Sequence, residues 1–208
     1  ELVSNGIRVS LFIAPEINSS LVSEESLKKL VFLKLSKPAY SSGLIDLSVS
    51  EDSLLMGLKK KWRYSLKQSL SKNINISLSN NASDIDKLVR EYKELQVKNS
   101  FTGISESLIR SLSKQHDKNW IFNLFIAKSD SNNFLGMLVM IKHGDSATYV
   151  IGLTDEIGRS LNVNYALLWK AILYAKEMNC IWFDIGGLDK TTPQGIAHFK
   201  KGLNSKIY

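Results

Sequence analysis

The 208-residue chain has a single cysteine, Cys180, so it cannot form an internal disulfide or hold a metal ion between thiolates. It also has no apolar run close to the roughly 20 residues that a transmembrane helix needs. The stretch from Glu1 to Gly6 has neither the basic start nor the apolar core of a secretory signal peptide. Together these absences favour a reducing compartment, and we predict a cytoplasmic protein.

Several catalytic signatures are also missing. The three histidines, His116, His143 and His198, are far apart in the sequence and do not form the H-E-x-x-H spacing of a zinc site. The chain contains neither the Gly-x-Ser-x-Gly elbow of a serine hydrolase nor a Walker A loop. We therefore expect no metal site and no reaction of these three classes. His198 could act as a base, but a lone histidine near a helix surface is more often merely polar.

Acidic residues are scarce relative to basic ones, and the net charge is +7. Such an excess favours a polyanionic partner, either a nucleic acid, a phosphorylated carrier or an anionic membrane surface; simple solubility is the alternative. The imbalance is sharpest between residues 54 and 72, where there is no acid. A predicted helix from Ser50 or Ser53 to Lys72 buries Leu54, Leu55, Leu58, Trp62, Leu66 and Leu70, and exposes Lys59, Lys60, Lys61, Arg63, Lys67 and Lys72.

This basic helix face has two interpretations. A purely solvated face usually mixes charges of both signs, and here acids are absent. Arg63 is the better candidate for phosphate binding, because its guanidinium can hold phosphate through two hydrogen bonds, and Lys67 lies one turn further on. We predict that Arg63 and Lys67 bind a phosphate of the substrate.

The order of elements after this helix predicts a mixed α/β fold. Two further helices are followed by three β-runs joined by tight turns, which is typical of an antiparallel meander. An amphipathic helix and an unbroken apolar strand come next, and this pair indicates a parallel strand covered on both faces. The predicted helices are Asp84–Lys98, Ser105–Gln115 and Leu161–Met178; the strands are Ile121–Ala127, Asn133–His143, Ala147–Leu153 and Cys180–Ile185.

The stretch FDIGGLDKTTPQGIAHFKKGL, from Phe183 to Leu203, has the composition of a functional loop and helix. Asp184 ends the parallel strand at its carboxyl end, where open α/β sheets place their ligands. Gly186 and Gly187 permit a sharp turn and close approach of the backbone to a substrate. After a polar loop, Gly195 begins a last helix that carries Lys200.

The order of elements resembles the GCN5-related N-acyltransferase (GNAT) fold, and two stretches resemble the Fem family of aminoacyl-tRNA-dependent transferases and a related acetyltransferase domain. One is IDLSVSEDSLLMGLKKKWRYSLKQSLSKNINI, with its Asp-Leu strand and Leu-rich basic helix. The other is the Phe183–Leu203 stretch, with strand-Asp-x-Gly-Gly and Gly-x-x-x-Phe-Lys. The resemblance covers residues 44–208 as a GNAT-like domain and implies that residues 1–43 are the end of a truncated first half.

The resemblance implies transfer of an aminoacyl group to an amine of a cell-wall or surface-polysaccharide precursor. Lys200 would stabilise negative charge on the acyl ester or its tetrahedral intermediate, with Asp184 in the same catalytic group. Phe199 would pack against the terminal nucleoside of the donor. In the alternative interpretation, Lys200 is a solvated helix lysine beside Lys201.

In GNAT folds a backbone N–H at a bulge in the central strand takes the acyl carbonyl. The corresponding strand here is Ala147–Leu153, and we expect the close backbone approach at Gly152. The alternative is that Gly152 only ends the strand. Tyr149 is the one residue of this strand that matches the aromatic substrate contacts of the family.

The donor is predicted from a difference between this sequence and the motif of acetyl-CoA-using relatives. Acetyl-CoA-using relatives have Arg/Gln-x-x-Gly-x-Gly/Ala before the helix that follows the central strand, and this chain has Asn162 and Asn164 at the glycine positions. We therefore expect aminoacyl-tRNA as donor and no cofactor, with acyl-CoA as the alternative. Expected partners are tRNA and a nucleotide- or lipid-linked precursor, with peripheral membrane association and no stable protein partner. A non-catalytic module that binds RNA or a partner is the third hypothesis.

Overall fold

The centre of the structure is a mixed β-sheet, seen in a computed structural model that describes residues 28–29, 41–190 and 192–207. The strands are β1 (Gly43–Asp46), β2 (Ile74–Ser79), β3 (His116–Asp117), β4 (Trp120–Ser129), β5 (Phe134–His143), β6 (Ser146–Thr154), β7 (Trp182–Asp184) and β8 (Lys206–Ile207). They lie in the order β2-β4-β5-β6-β7-β1-β8, with β3 paired to β4. Among these pairs β6 and β7 run parallel and the others antiparallel.

Helices cover both faces of this sheet. They are α1 (Glu51–Gly57), α2 (Lys60–Leu70), α3 (Ala82–Lys98), α4 (Glu106–Lys114), α5 (Glu156–Ser160), α6 (Val163–Glu177) and α7 (Gln194–Lys201). Side-chain oxygens of Ser50, Ser105 and Asp155 cap α1, α4 and α5 by accepting hydrogen bonds from backbone N–H groups of the first turn. Within the described part of the chain, no helix is both long and apolar enough to cross a bilayer.

Two apolar cores lie on opposite faces of the sheet. Residues of α1, α2 and α6 form one core, and residues of α3 and α4 form the other. Strand β5 supplies both in alternation, with Leu138 and Met140 on the first side and Met137 and Val139 on the second. This two-sided burial explains why the central strands are almost continuously apolar in sequence.

The predicted fold class is confirmed. β4, β5 and β6 form the antiparallel meander, and β7 adds to it in parallel after α6. The strand order alone is not specific to the GNAT fold. Most of the predicted first-half segment, residues 1–27 and 30–40, lies outside the described residues, so the domain division stays a prediction.

The single basic helix predicted between Ser50 and Lys72 is wrong, because the chain breaks into α1 and α2 at Leu58. Leu58 has an extended backbone, with ψ at 146°. The Arg63 side chain stabilises the break, since its Nη1 donates to the carbonyl oxygens of Met56 at 2.5 Å and Leu58 at 2.9 Å. Leu70, predicted to be buried, is 59% exposed, and Ser69 is buried instead.

The packing of α5 on β5 yields a stability prediction at Gly158. A Cβ added there would lie 2.0 Å from the carbonyl oxygen of Leu135, a backbone atom that cannot rotate away. We expect Gly158→Ala to lower the free energy of unfolding by about 1–3 kcal/mol, measured by urea denaturation. Gly57→Ala is the matched control, because a Cβ on Gly57 meets nothing within 4 Å, and it should change stability by no more than about 0.5 kcal/mol. Equal losses in the two variants would contradict the packing described here.

Candidate active site

The site lies where β6 and β7 part. The two strands pair over three positions only, ending at Thr148 and Asp184; β7 stops there while β6 continues to Thr154. Just beyond, Tyr149 pairs with Met140 and Ile151 with Val139, so Val150 is an extra residue and β6 is bulged. The bulge and the end of β7 together open the sheet at Tyr149.

We expected a strand bulge at Gly152 that would bring the backbone close to the substrate, and the structure places the bulge elsewhere. Gly152 remains in register with Leu138, and the irregularity lies two residues earlier, at Val150. A Cβ on Gly152 would lie 2.1 Å from the Tyr149 hydroxyl oxygen, so the glycine makes room for the Tyr149 side chain. Substrate binding at Gly152 stays a prediction.

The carboxylate of Asp184 organises the turn after β7. It is 9% exposed, and its Oδ1 accepts a hydrogen bond from the backbone N–H of Gly186 at 2.7 Å and another from the Ser42 hydroxyl. Gly186 has φ +72°, in the left-handed region that favours glycine. Asp184 is therefore a positioning group in this structure, and its predicted catalytic role is a separate hypothesis.

Lys200 lies in the opening between the strands, as its predicted role requires. Its residue is 8% exposed, and Nζ donates to the carbonyl oxygen of Gly187 at 3.1 Å. The same nitrogen is 5.4 Å from the centre of the Tyr149 ring, within cation–π range. A Cβ on Gly186 would be 3.1 Å from Nζ and 3.0 Å from the Tyr149 carbonyl oxygen. The absence of a side chain at Gly186 therefore allows the end of β7, strand β6 and the ammonium group to lie this close together.

The pKa of Lys200 is lowered overall, because burial outweighs the effect of nearby carboxylates. Burial lowers the pKa of its ammonium group, while the carboxylates of Asp184 and Asp189 raise it. Burial also raises the pKa of the Tyr149 hydroxyl to about 12, so this phenol stays protonated near neutral pH. The opening thus contains a partly desolvated cation beside the ring of an uncharged tyrosine.

Phe199, next to Lys200 on α7, lies in an aromatic cluster with Trp62 and Tyr165. The Phe199 and Tyr165 ring centres are 5.0 Å apart, and those of Phe199 and Trp62 are 5.9 Å apart. Trp62 is on the buried face of α2 and Tyr165 in the first turns of α6. This cluster joins the helix that carries Lys200 to two other helices, while Phe199 itself remains half-buried.

The other predicted residues are placed as follows. Arg63 already uses one guanidinium nitrogen to hold the end of α1, and Lys67 is exposed on α2. His198 is exposed on α7. Among the residues that the structure describes, no three His, Cys, Asp or Glu side chains come together in a way that could hold a metal ion.

Asn162 bears on the predicted donor. It precedes α6 with φ +59° and ψ +30°, a left-handed conformation that asparagine tolerates better than most residues. Asn162 therefore reaches the left-handed conformation that glycine favours, so the backbone conformation at Asn162 does not argue against CoA. The side chains of Asn162 and Asn164 remain as the difference, and the donor stays a prediction.

Ser42 is the site residue that the sequence interpretation missed. It is fully buried and donates to Asp184, from which it is 142 positions distant in sequence. From the sequence alone, the cluster Ser41-Ser42-Gly43 indicates only an interruption between secondary-structure elements. Only the antiparallel pairing of Leu44 with Asp184 brings it to the site.

A family model, that of the FemAB family, matches residues 68–208, which include the central strands and the Lys200 helix. The chain belongs to the FemAB family. A comparison with curated proteins finds no significant match. The predicted family is thereby confirmed.

Solved structures with a similar fold include FemX, with a TM-score of 0.69 and 14% identity over 80% of this chain and 59% of that one. The C-terminal domain of a protein assigned as a lysylphosphatidylglycerol synthetase from Agrobacterium fabrum gives a TM-score of 0.55, with 11% identity over 81% of this chain and 57% of that one. L-PGS from Bacillus licheniformis gives 0.51, with 12% identity over 74% and 47%. This FemAB chain thus spans about half to three fifths of the length of these structures, and at such identities the similarity concerns the fold.

The left-handed Gly186 yields a prediction on the site's stability. Gly186→Ala should lower the free energy of unfolding by about 1–2 kcal/mol, because an L-residue at φ +72° is strained and the new methyl would press on Tyr149 and Lys200. Gly195→Ala is the control, as a Cβ at Gly195 meets nothing within 4 Å. Urea denaturation of both variants would contradict this geometry if Gly195→Ala were the more damaging change.

The pKa of Lys200 can be tested by NMR titration of its side-chain nitrogen. We expect a midpoint below the roughly 10.4 of a free lysine, and a lower one still in Asp184→Asn, because that change removes a charge that raises the pKa. The unfolded chain then binds more protons than the folded one between the two pKa values, so stability should rise with pH through the folded-state pKa. A midpoint at or above the free-lysine value would refute burial as the dominant effect.

Proposed function

We propose that this FemAB protein transfers an aminoacyl group from aminoacyl-tRNA to an amine of a cell-wall or surface-polysaccharide precursor. The observation that carries the proposal is the buried Lys200 ammonium at the point where β6 and β7 part. Family membership and the fold shared with FemX support it. The donor, the acceptor and the whole protein's activity are the finer parts of the proposal.

In the proposed reaction, the acceptor amine attacks the carbonyl carbon of the aminoacyl ester. The new C–N bond forms, the ester C–O bond breaks, the amine gives up a proton, and the ribose oxygen of the tRNA leaves with one. Negative charge develops on the carbonyl oxygen and then on the leaving oxygen. A cation held nearby in a poorly hydrated opening stabilises both charges more than it would in bulk water.

Lys200 supplies that cation in our proposal. Its ammonium is kept in place by the Gly187 carbonyl and the Tyr149 ring. Because an ammonium group has three N–H donors, it can still donate to a substrate oxygen while making these two contacts. Because the pKa of Lys200 is lowered by burial, it can also return a proton to the leaving oxygen more readily than an exposed lysine. Asp184 holds the Gly186 turn against which the ammonium rests.

The Val150 bulge and Tyr149 border the same opening. The bulge takes backbone N–H groups of β6 out of the regular ladder, and we propose that one of them binds the acyl carbonyl oxygen. The Tyr149 hydroxyl, kept protonated by its raised pKa, is a hydrogen-bond donor for the substrate. The backbone of Gly186 and Gly187 closes the opposite side.

Phe199 lies next to Lys200 in sequence, and its half-buried ring is the proposed contact for the donor's terminal nucleoside. Trp62 and Tyr165 hold this ring from two sides, so its position is fixed before any ligand binds. Lys67 and the remaining nitrogens of Arg63 are proposed to bind phosphate. The proposal requires no cofactor, and a tRNA donor implies a cytoplasmic location.

The decisive experiment follows acyl transfer to an amine acceptor by product mass, with charged tRNA in one reaction and acetyl-CoA in the other. We expect product with charged tRNA only. Lys200→Gln should lower kcat by about 100- to 1,000-fold, because one transition-state contact is lost. Lys201→Gln, an exposed neighbour on the same helix, should change it by less than about threefold.

Each alternative has its own outcome. An acetylated product with acetyl-CoA alone would contradict the tRNA donor and indicate an acyl-CoA-dependent N-acyltransferase. Absence of product in both reactions, together with salt-sensitive tRNA binding, would favour a binding module. Undiminished turnover in Lys200→Gln would remove the catalytic role of the ammonium.

A further inference from the structure

We propose that the surface formed by α1 and α2 docks on an anionic phospholipid bilayer. The docking surface is defined by Met56, Lys60, Tyr64, Lys67 and Leu70. It is separate from the opening that contains Lys200. Lys67 is the one residue that it shares with the proposed phosphate contacts, and the other four residues have no part in the proposed reaction.

The first support is the exposure of large apolar side chains. Met56 is 69% exposed, Tyr64 64% and Leu70 59%, all within one short segment. In the same segment the core is already supplied by Leu54, Leu58, Trp62 and Leu66, which are buried. The exposed three therefore contribute little to folding, and their cost in water would be relieved by an apolar partner.

The second support is the charge of the same surface. Lys60, Tyr64 and Lys67 follow one another at spacings of four and three residues, which places them on one side of α2, opposite buried Trp62 and Leu66. No acid occurs from residue 53 to residue 83. The two acids of the surface-forming helices, Glu51 and Asp52, are confined to the first turn of α1, so the α2 part of the surface is purely cationic. A cationic surface is complementary to anionic headgroups, and each lysine near such a membrane contributes roughly 1 kcal/mol.

Helix α3 on the opposite face of the sheet provides a comparison within the molecule. It also exposes a large apolar residue, Val97 at 75%. However, its four basic residues are matched by four acidic ones, Asp84, Asp86, Glu91 and Glu94. The combination of apolar exposure with unbalanced positive charge thus distinguishes α2 from α3.

A bilayer fits this combination better than RNA does. Cations and an exposed tyrosine would serve either partner, since lysines bind phosphates and tyrosines stack on bases. Methionine and leucine side chains have no polar contact to offer a phosphate backbone, whereas at a membrane surface they insert among acyl chains beneath the headgroups. The exposure of Met56 and Leu70 therefore favours a bilayer over RNA.

The docking surface also lies at a useful place in the fold. Trp62, on the inner face of α2, contacts Phe199, which precedes Lys200. A helix with its side chains is about 10–12 Å across, so α2 on a bilayer would hold Phe199, the neighbour of Lys200 on α7, about one helix diameter from the headgroups. A substrate held at the membrane surface would then be close to the opening.

The inference is tested by co-sedimentation of the 208-residue chain with vesicles of phosphatidylcholine alone or mixed with phosphatidylglycerol. We expect partition into the mixed vesicles that weakens with salt. Lys60→Gln with Lys67→Gln should reduce it at least about tenfold, and Met56→Gln with Leu70→Gln several-fold. The matched control, Lys93→Gln with Val97→Gln on α3, should stay within about twofold of the unaltered chain.

Several results would overturn the inference. One is equal partition of the unaltered chain into both vesicle types, and another is partition unaffected by the two α2 variants. Loss of tRNA affinity in the lysine variant with vesicle partition intact would assign the surface to RNA. Lys200→Gln should bind vesicles normally, so failure of the proposed reaction and failure of docking give different results. Circular dichroism of each variant establishes that it is folded.

Discussion

The candidate site depends on keeping one ammonium group partly out of water at the end of a short parallel strand pair. Burial of Lys200 disfavours its charge, and the surroundings offset this with a carbonyl oxygen, an aromatic face and nearby carboxylates. None of these groups can move far, because Gly187 belongs to a turn held by Asp184 and Tyr149 belongs to the central sheet. The opening between β6 and β7 thus exists because β7 ends at Asp184 while β6 continues. The Lys200 ammonium is held there by the turn that Asp184 stabilises.

The aromatic cluster links this opening to the exterior of the molecule. Trp62 packs on Phe199 and Tyr165, and on the outer side of the same helix lie the lysines of the docking surface. A single helix, α2, therefore provides both a wall behind the candidate site and a charged exterior. The absence of acids from this segment, which was visible in the sequence, acquires a structural meaning because Lys60 and Lys67 share one side of α2.

Patterns of local origin were predictable. The meander and the parallel strand follow from alternation and turns, and the structure agrees with them. The interest in Lys200 came from the resemblance to the Fem family, and its catalytic role stays a prediction. Features set by distant contacts were not predictable. The break at Leu58 depends on the Arg63 side chain folding back on α1, and the bulge at Val150 depends on the register with β5. Ser42 reaches Asp184 only through pairing between the two ends of the described domain.

This last feature has a consequence for biosynthesis. Strand β1 is held between β7 and β8, both of which follow it by most of the length of the domain. As the chain leaves the ribosome, β1 must wait until β7 and β8 have been translated, so its edge groups and Ser42 remain unmatched until then. The meander can form earlier, from neighbouring segments. The Lys200 opening is therefore completed later than the meander, once α7 and β8 have also left the ribosome.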